Sequence, residues 1–442
     1  MTRATNRRVG AGLLSVVLSA CTVVATPPER PRPRIEPGPP PDVERGVDLR
    51  DVTVRAVRDF PETRALWVVR FTMTSRRSIV DMVERADLAG INTLLVQVRG
   101  RADAFYASGI EPPGESMREG GDFDPLAMTI DLAHARGMAV HAWVNTHLVW
   151  GPAARPEDPR HLVNAHPDWL AVPRSLAREL LAVDPFDRRF VERLVEHARD
   201  NPQGVEGIYT SPSHPAVQDR VRAVWIDLAT RYDLDGIHFD YIRFPSADYD
   251  YSVGALERFR IWARSVLLPD RFAELDTAYA TDLFAFVDGE RDLWTDFRRH
   301  HVTRLVERIY HETKAVNPRL VVSAAVVADA DVAFADRFQD WGGWLRDGIL
   351  DVAVPMAYTR DVARFQSLVR VARAEAGHRK RVWAGIGAYL NPAERTVDMI
   401  DVARTEGAGG IVIFSYDWAV GEGIGDPGDP FLQRVGRARF GR

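Results

Sequence analysis

The 442-residue sequence lacks several features that mark large classes of protein. Its single cysteine, Cys21, excludes disulfides within the chain and metal sites built on several thiolates. No segment after the N-terminal region has about 18 continuous apolar residues, so no transmembrane helix is predicted in the body of the chain. The net charge is -5 and no Lys/Arg-rich run stands out, so a nucleic-acid partner is not expected.

Familiar catalytic patterns are also missing. There is no Gly-x-Ser-x-Gly elbow for a nucleophilic serine. No glycine-rich phosphate loop follows the first predicted strand, which argues against dinucleotide binding. His141 is followed by Trp143, where metal-dependent barrel hydrolases commonly have a second histidine. His238 and Asp240 could donate two metal ligands, but no third is obvious. We therefore expect neither a metal nor a cofactor.

The N-terminal region is typical of an exported protein. Three arginines precede a short apolar run, Val9–Val17, and Leu18-Ser19-Ala20-Cys21 follows. Small residues before a cysteine at this place are similar to the lipobox of bacterial lipoproteins. Residues 1–20 are then a signal peptide, Cys21 carries the lipid, and the proline-rich segment 21–60 is an extended tether. This predicts a cell-envelope protein on a membrane surface that faces the periplasm or the exterior. The alternative is a plain secretory signal that leaves Cys21 free.

Residues 61–442 form one predicted domain in which short apolar runs alternate with amphipathic stretches. Helical spacing of apolar residues is found at Ser75–Ala89, Pro125–Arg136, Pro215–Arg231, Leu293–Val316 and Thr396–Glu406. This alternation predicts an α/β fold, a closed (β/α)8 TIM barrel, with an open doubly wound sheet as the alternative. The predicted strands are Arg64–Phe71, Ile91–Arg99, Met138–Thr146, Gly236–Phe244, Leu320–Ala328, Leu350–Tyr358, Val382–Tyr389 and Gly410–Asp417.

Two connections are much longer than a barrel requires. Leu148–Val205 follows the third strand and Pro245–Asp292 follows the fourth. Long connections at the carboxyl ends of strands usually build a site, so we expect both to surround the barrel mouth.

A charged strand end marks the candidate site. Alternate side chains of a strand share a face, so His238 and Asp240 point the same way in the fourth strand. A buried, unpaired charge is unfavourable, so this pattern indicates a carboxylate that faces a cavity; the alternative is a structural ion pair. Aromatic and hydrogen-bonding side chains gather at the other strand ends, as in a carbohydrate pocket. The predicted substrate-binding residues are Trp67, Gln97, Arg99, His141, Asn145, His238, Tyr241, Arg243, Tyr358 and Tyr389.

Several segments in order along the chain together resemble one family. They are the segments 92–99, 104–108 with Glu111-Pro112, 123–126, 141–145, 211–217, 235–241 and 296–299. Through these segments the chain is similar, from about residue 64 to residue 417, to the glycosyl-hydrolase-like 10 family of bacterial secreted proteins and lipoproteins. The resemblance implies a (β/α)8 barrel and cleavage of glycosidic bonds, with bacterial cell-wall glycan (peptidoglycan) as a substrate of some members.

Glycoside hydrolysis generally uses two carboxyl groups, one as proton donor and one as nucleophile or base. Asp240 is predicted to be the nucleophile or base, with His238 and Arg243 favouring its ionised form. Glu111 is the preferred proton donor, and Asp417 and Asp329 remain alternatives. Two other classes stay open: a non-catalytic glycan-binding lipoprotein of the cell envelope, and a polysaccharide deacetylase or other metal enzyme.

Overall fold

The computed structural model describes residues 60–441 except 118–119, 152–154, 379–380, 421–424 and 427–428. The predicted signal peptide, Cys21 and residues 21–59 of the predicted tether lie outside the described residues. Within the described part, no helix is long and apolar enough to cross a membrane.

Eight parallel strands form the barrel, which confirms the predicted (β/α)8 fold. The strands are β1 Thr63–Val68, β2 Thr93–Arg99, β3 Ala139–Asn145, β4 Gly236–Asp240, β5 Val321–Val326, β6 Val352–Pro355, β7 Trp383–Gly387 and β8 Gly410–Phe414. Their order around the sheet is β6-β5-β4-β3-β2-β1-β8-β7. Isolated bridges from Ala353 to Val382 and from Met356 to Gly385 join β6 and β7 at the two ends of this order.

Several of the helices that cover the barrel begin at a side chain that caps the helix N-terminus. Asp124, for example, accepts hydrogen bonds from the backbone N–H groups of Leu126 and Ala127, and a proline occupies the first turn. All five predicted helices are present within a few residues of their expected bounds. The outer helices are Arg76–Leu88, Pro125–His134, Pro215–Arg231, Arg291–Val316, Ala330–Ala335, Trp341–Arg346, Val362–Ala376, Ala393–Thr405, Tyr416–Ala419 and Phe431–Arg439.

Both long connections are folded. In the structure the first connection continues past Val205, and its short strand Leu148–Trp150 pairs antiparallel with Ile208–Tyr209. The two connections are joined by backbone contacts: the Val172 N–H donates to Oδ1 of Asp250 at 2.9 Å, and the Tyr251 N–H donates to the Val172 carbonyl at 2.8 Å. The first contains helices Leu162–Ala165, Arg174–Leu180 and Arg188–Asp200, and the second contains Val253–Ala263, Pro269–Tyr279 and Ala285–Gly289.

All the strands except β2 end earlier than the sequence predicted, and four of them are followed by a turn or a short helix. β1 is followed by a 3-10 turn at Arg70–Thr74, and β7 by one at Ala388–Leu390. After β4 the chain turns at Tyr241, which has a φ of +49°, and after β8 it enters the short helix Tyr416–Ala419. The predicted alternation of inward-facing and outward-facing side chains was therefore wrong beyond these strand ends, although it holds within the strands.

The barrel interior is filled by the predicted inward-facing residues. Trp67 of β1 reaches across the interior, and its Nε1 donates to Nε2 of His238 on β4 at 3.0 Å. On β7 a side chain is excluded at Gly385, because a Cβ there would lie 2.7 Å from the Pro355 carbonyl oxygen and 3.1 Å from the Trp67 ring. The buried apolar residues of this inner cluster are Ala65, Trp67, Leu95, Trp143, Ala325, Val352, Val354, Trp383 and Val412.

Gly385→Val tests this packing. We expect the variant to lose about 1–3 kcal/mol of stability, because the added methyl groups meet backbone and the Trp67 ring. Urea unfolding followed by tryptophan fluorescence measures the change. Gly109→Val is the control, since nothing lies within 4 Å of a Cβ at Gly109. Equal effects of the two substitutions would contradict the packing described here.

Candidate active site at the barrel mouth

Asp240 is the last residue of β4 and is 7% exposed. Its Oδ1 accepts the Tyr241 N–H at 2.7 Å, and its Oδ2 accepts Nε1–H of Trp143 at 3.1 Å. Burial raises the pKa of Asp240 to about 6, although the nearby Arg243 charge and these hydrogen bonds act in the opposite direction. Arg243 therefore favours the ionised form of Asp240, as predicted, but burial outweighs it and the net shift is toward the protonated form. Asp240 can carry a proton near neutral pH.

Tyr241 adopts a left-handed conformation that shapes this strand end. A φ of +49° is unfavourable for a non-glycine residue by roughly 1–2 kcal/mol, and such strain is concentrated at functional sites. The turn directs the Tyr241 N–H toward the Asp240 carboxylate. Its ring lies 6.0 Å from the Tyr209 ring, and the Arg243 guanidinium sits 4.3 Å from its centroid.

His238 belongs to a buried chain of hydrogen bonds below Asp240, which we call the relay. Its Nε2 accepts the indole N–H of Trp67, its Nδ1–H donates to Oγ of Ser323 at 2.9 Å, and that hydroxyl donates to the Ile237 carbonyl at 3.2 Å. An indole nitrogen only donates, so this arrangement requires neutral His238. Burial lowers its pKa well below the ordinary value, in the same direction. Both ring nitrogens are engaged, and this position does not support the predicted contact of His238 with a sugar.

Gln97 and Asn145 form a second supporting network. Oδ1 of Asn145 accepts from Nε1 of Trp143 at 3.0 Å and from Nε2 of Gln97 at 3.2 Å. Oε1 of Gln97 accepts from the backbone N and from Nη1 of Arg70, both at 3.2 Å. The network orients Trp143 toward Asp240 and holds Arg70 at the mouth. Gln97 and Asn145 are each 3% exposed, so they position other side chains.

Glu111 lies in a buried ion pair. Its carboxylate is 3.1 Å from Nη2 of Arg99 and 3.3 Å from Nη2 of Arg220, and its side chain has no exposed surface. Burial alone would raise the pKa of Glu111, but the two arginines hold it below its ordinary value. A proton donor needs the opposite shift and access to substrate. This position does not support the predicted acid role, and Arg99, which is 1% exposed, is likewise engaged within the protein.

Asp417 and Asp329 both cap turns. Oδ2 of Asp417 accepts the Val69 N–H at 3.0 Å, and its Oδ1 accepts the Thr72 hydroxyl at 2.7 Å. Burial raises the pKa of Asp417, while these hydrogen bonds oppose the shift. Asp329 accepts the Val332 N–H at the start of an outer helix and pairs with Arg364 at 3.0 Å. Both carboxylates are therefore engaged in hydrogen bonds or ion pairs within the protein.

His141 is buried deeper in the barrel than the mouth. It is the third residue of β3, pairs in register with Gly236 at the start of β4, and its ring centroid lies 5.7 Å from that of Trp383, the first residue of β7. Burial lowers its pKa to about 4. The structure therefore does not bring His141 to the side chains at the mouth.

An aromatic wall borders the mouth. The Tyr358 and Phe414 rings are 5.5 Å apart, and the Tyr389 and Trp418 rings are 5.8 Å apart. Tyr389 and Trp418 are each 39% exposed, an open surface of the kind on which sugar rings stack. Burial and the nearby Asp240 charge raise the pKa of Tyr358, so the wall reaches the carboxyl group.

Three residues at the mouth were missed from the sequence: Arg70, Trp418 and Glu206. Arg70 and Trp418 lie in the turns that follow β1 and β8, where strand alternation no longer applies. Glu206 lies in the first long connection, and its carboxylate is 3.3 Å from Nη2 of Arg243. The length of that connection was the only sequence signal for it.

A separate cavity of about 570 Å³ lies between the two long connections. Its walls come from residues 168–190, 214 and 251–258, and it contains no barrel-strand residue. Leu170, Leu180 and Phe190 form part of an apolar lining, with Asp168, His214 and Arg258 as polar groups. It is distinct from the mouth at Asp240. Within the described residues, no group of three or more His, Cys, Asp or Glu side chains is arranged to hold a metal ion.

Comparison with known proteins identifies the family. The model of the glycosyl hydrolase-like 10 family matches residues 62–400. The chain belongs to this family. A curated relative, glycosyl hydrolase DigH of Escherichia coli (strain K12), is 24% identical over 85% of this chain and 82% of its own length.

Solved structures show the same fold. The PgaB (BpsB) glycoside hydrolase domain from Bordetella bronchiseptica aligns with a TM-score of 0.57 and 16% identity, over 81% of this chain and 95% of that chain. Gan42B, a GH42 beta-galactosidase from G. stearothermophilus, aligns with a TM-score of 0.56 and 15% identity, over 87% of this chain and 57% of that chain. At these identities the likeness establishes the barrel alone.

His238→Gln tests the neutral relay. A histidine whose pKa falls on folding stabilises the protein fully above its unfolded pKa of about 6.5, and this contribution is lost as the pH falls toward the folded value. Below pH 6.5 the unfolding free energy of the wild type should therefore fall more steeply than that of the variant, by up to about 1.4 kcal/mol per pH unit. Urea unfolding at several pH values measures the slopes. The same substitution at exposed His311 is the control, and identical slopes for His238→Gln and wild type would refute the neutral relay.

Proposed function

We propose that this protein is a glycoside hydrolase that cleaves the glycan strands of the bacterial cell wall, with Asp240 as its proton donor. The observation that carries the proposal is the Asp240 carboxyl group, buried at the barrel mouth beside an open aromatic wall. A carboxyl group with a pKa of about 6 is still half protonated at a pH where an ordinary aspartate is ionised, and it can give this proton to a leaving glycosidic oxygen.

The surroundings of Asp240 suit a sugar chain. Tyr358, Tyr389 and Trp418 offer apolar ring faces, while Arg243 provides hydrogen-bond donors near the same carboxyl group. The relative from Escherichia coli is called a glycosyl hydrolase, which supports the reaction class. A cell-wall substrate agrees with the export signal in the sequence.

Asp240→Asn tests the catalytic role. The amide keeps the shape but cannot donate an acidic proton, so turnover should fall by roughly 10²–10⁴-fold while glycan binding remains. The assay is incubation with purified cell-wall glycan strands, with and without attached peptides, followed by mass spectrometry of the released fragments. Asp401→Asn is the control, because Asp401 forms a half-exposed ion pair with Arg439 on the barrel exterior. Unchanged turnover in Asp240→Asn would remove the assignment.

A non-catalytic glycan-binding lipoprotein is the second candidate. It is favoured by one observation: Glu111 and Asp417, the other predicted catalytic carboxylates, are both committed to internal contacts. It predicts binding of glycan strands by the wild type with no released fragments, the result that would replace the first proposal.

The location belongs to the same proposal. Cys21 carries a lipid, and the proline-rich segment after it holds the barrel off the membrane surface. In cells, Cys21→Ala should move the protein from the membrane fraction to the soluble fraction, measured by immunoblotting after fractionation. Retention on the membrane would contradict lipid attachment at Cys21.

A further inference from the structure

Glycoside hydrolysis by a pair of carboxyl groups needs a second carboxylate near Asp240. Glu111, Asp417 and Asp329 are engaged in ion pairs or caps, so the partner has to come from another part of the mouth. Glu206 is a carboxylate from the first long connection whose charge acts on Asp240.

The backbone brings Glu206 to the mouth. The strand Ile208–Tyr209 pairs with Leu148–Trp150, an extension that follows β3 after a bend at Thr146 and His147. The same extension is bonded to the end of β4, because the His147 N–H donates to the Tyr241 carbonyl at 3.3 Å. Beside Glu206, Gly207 leaves no room for a side chain: a Cβ there would lie 2.0 Å from the Trp150 carbonyl oxygen and 3.1 Å from Leu148 Cδ1. This close approach fixes the position of Glu206.

Two side chains orient the Glu206 carboxylate. The Tyr209 hydroxyl donates to its Oε2 at 2.7 Å, and Nη2 of Arg243 donates to its Oε1 at 3.3 Å. The Glu206 side chain is nevertheless 42% exposed, so a water molecule or a substrate can reach it. Glu111, by contrast, has no exposed side-chain surface.

Glu206 and Asp240 share neighbours but have opposite environments. The Arg243 guanidinium pairs with Glu206 and stacks on Tyr241, whose N–H binds Asp240. Asp240 is buried, whereas Glu206 is open and paired with a cation. Environments that differ in this way assign one carboxyl group as acid and the other as base. Within the described residues, Nη1 of Arg243 has no hydrogen-bond partner although it is buried, which leaves a donor available beside both groups.

We propose that Glu206 is the second catalytic residue, the base that activates the attacking water; this rests on the proposed hydrolase function. Glu206 takes a proton from water as the water oxygen bonds to the anomeric carbon. The bond from that carbon to the glycosidic oxygen breaks, its electron pair stays on the oxygen, and this oxygen takes the proton of Asp240. The products are a reducing sugar and the shortened chain, and a proton passes from Glu206 through solvent to Asp240 to restore the enzyme.

The other titratable groups around the two carboxylates determine which ionisations affect the pH dependence of the rate. Tyr241 has its pKa raised to about 12 by burial, and the pKa of Arg243 is also raised, so neither changes charge near neutral pH. The rate should therefore fall as the pH rises through the pKa of Asp240. The titratable and charged groups that face the two carboxylates are Tyr209, Tyr241, Arg243, Tyr249 and Tyr358.

The test compares Glu206→Gln, Glu206→Ala and wild type on purified cell-wall glycan strands. We expect Glu206→Gln to lower kcat by at least about 10²-fold with little change in KM. Azide should restore cleavage by Glu206→Ala and yield a glycosyl azide, because an anionic nucleophile needs no base. Glu375→Gln is the matched control, since Glu375 pairs with Arg346 at 2.7 Å on the exterior with 37% side-chain exposure.

The outcomes of this test distinguish the proposed role of Glu206 from the hydrolase function on which it rests. Cleavage by Glu206→Gln within a few-fold of wild type would overturn the role of Glu206 and leave the hydrolase function standing. Lost activity with no azide rescue of Glu206→Ala would also overturn it, because Glu206 would then only hold Arg243 in place. Absence of cleavage by wild-type protein would instead refute the hydrolase function itself.

Discussion

Burial of one carboxyl group at the end of β4 is the constraint on which the site depends. Asp240 is withdrawn from water yet receives two N–H donors, from the Tyr241 backbone and from the Trp143 indole. Desolvation outweighs these donors and the Arg243 charge, so the carboxyl group holds a proton at a pH where an exposed aspartate is ionised. The left-handed turn at Tyr241 and the early end of β4 are both part of this arrangement.

The barrel beneath Asp240 makes this position rigid. Trp67, His238 and Ser323 form one hydrogen-bonded relay across the interior, and each group has the partner its chemistry allows. Gln97 and Asn145 hold Trp143 from the side. The function of these residues is positional: they support the groups that face the opening, which are Asp240, Tyr358, Tyr389 and Trp418.

The sequence predicted the barrel well because hydrophobic alternation and helix capping are local signals. It also predicted which side chains of each strand face inward, since a strand has a strict period of two. It could not distinguish an inward residue at the mouth from one deeper in the barrel, which is why His141 and His238 were predicted to contact sugar. It missed Glu206 because that residue is positioned by strand pairing within a long connection. It favoured Glu111, whose ion pair with Arg99 and Arg220 is a tertiary contact with no local signal.

Measuring the pKa of Asp240 is the most direct test of its role as proton donor. Carbon-13 NMR of protein labelled at aspartate carboxyl groups, with Asp240 assigned by comparison with Asp240→Asn, follows its titration. The account predicts a midpoint of about 6. A midpoint near 3.8, the ordinary value for aspartate, would show that the group is ionised throughout the neutral range and would contradict its role as proton donor.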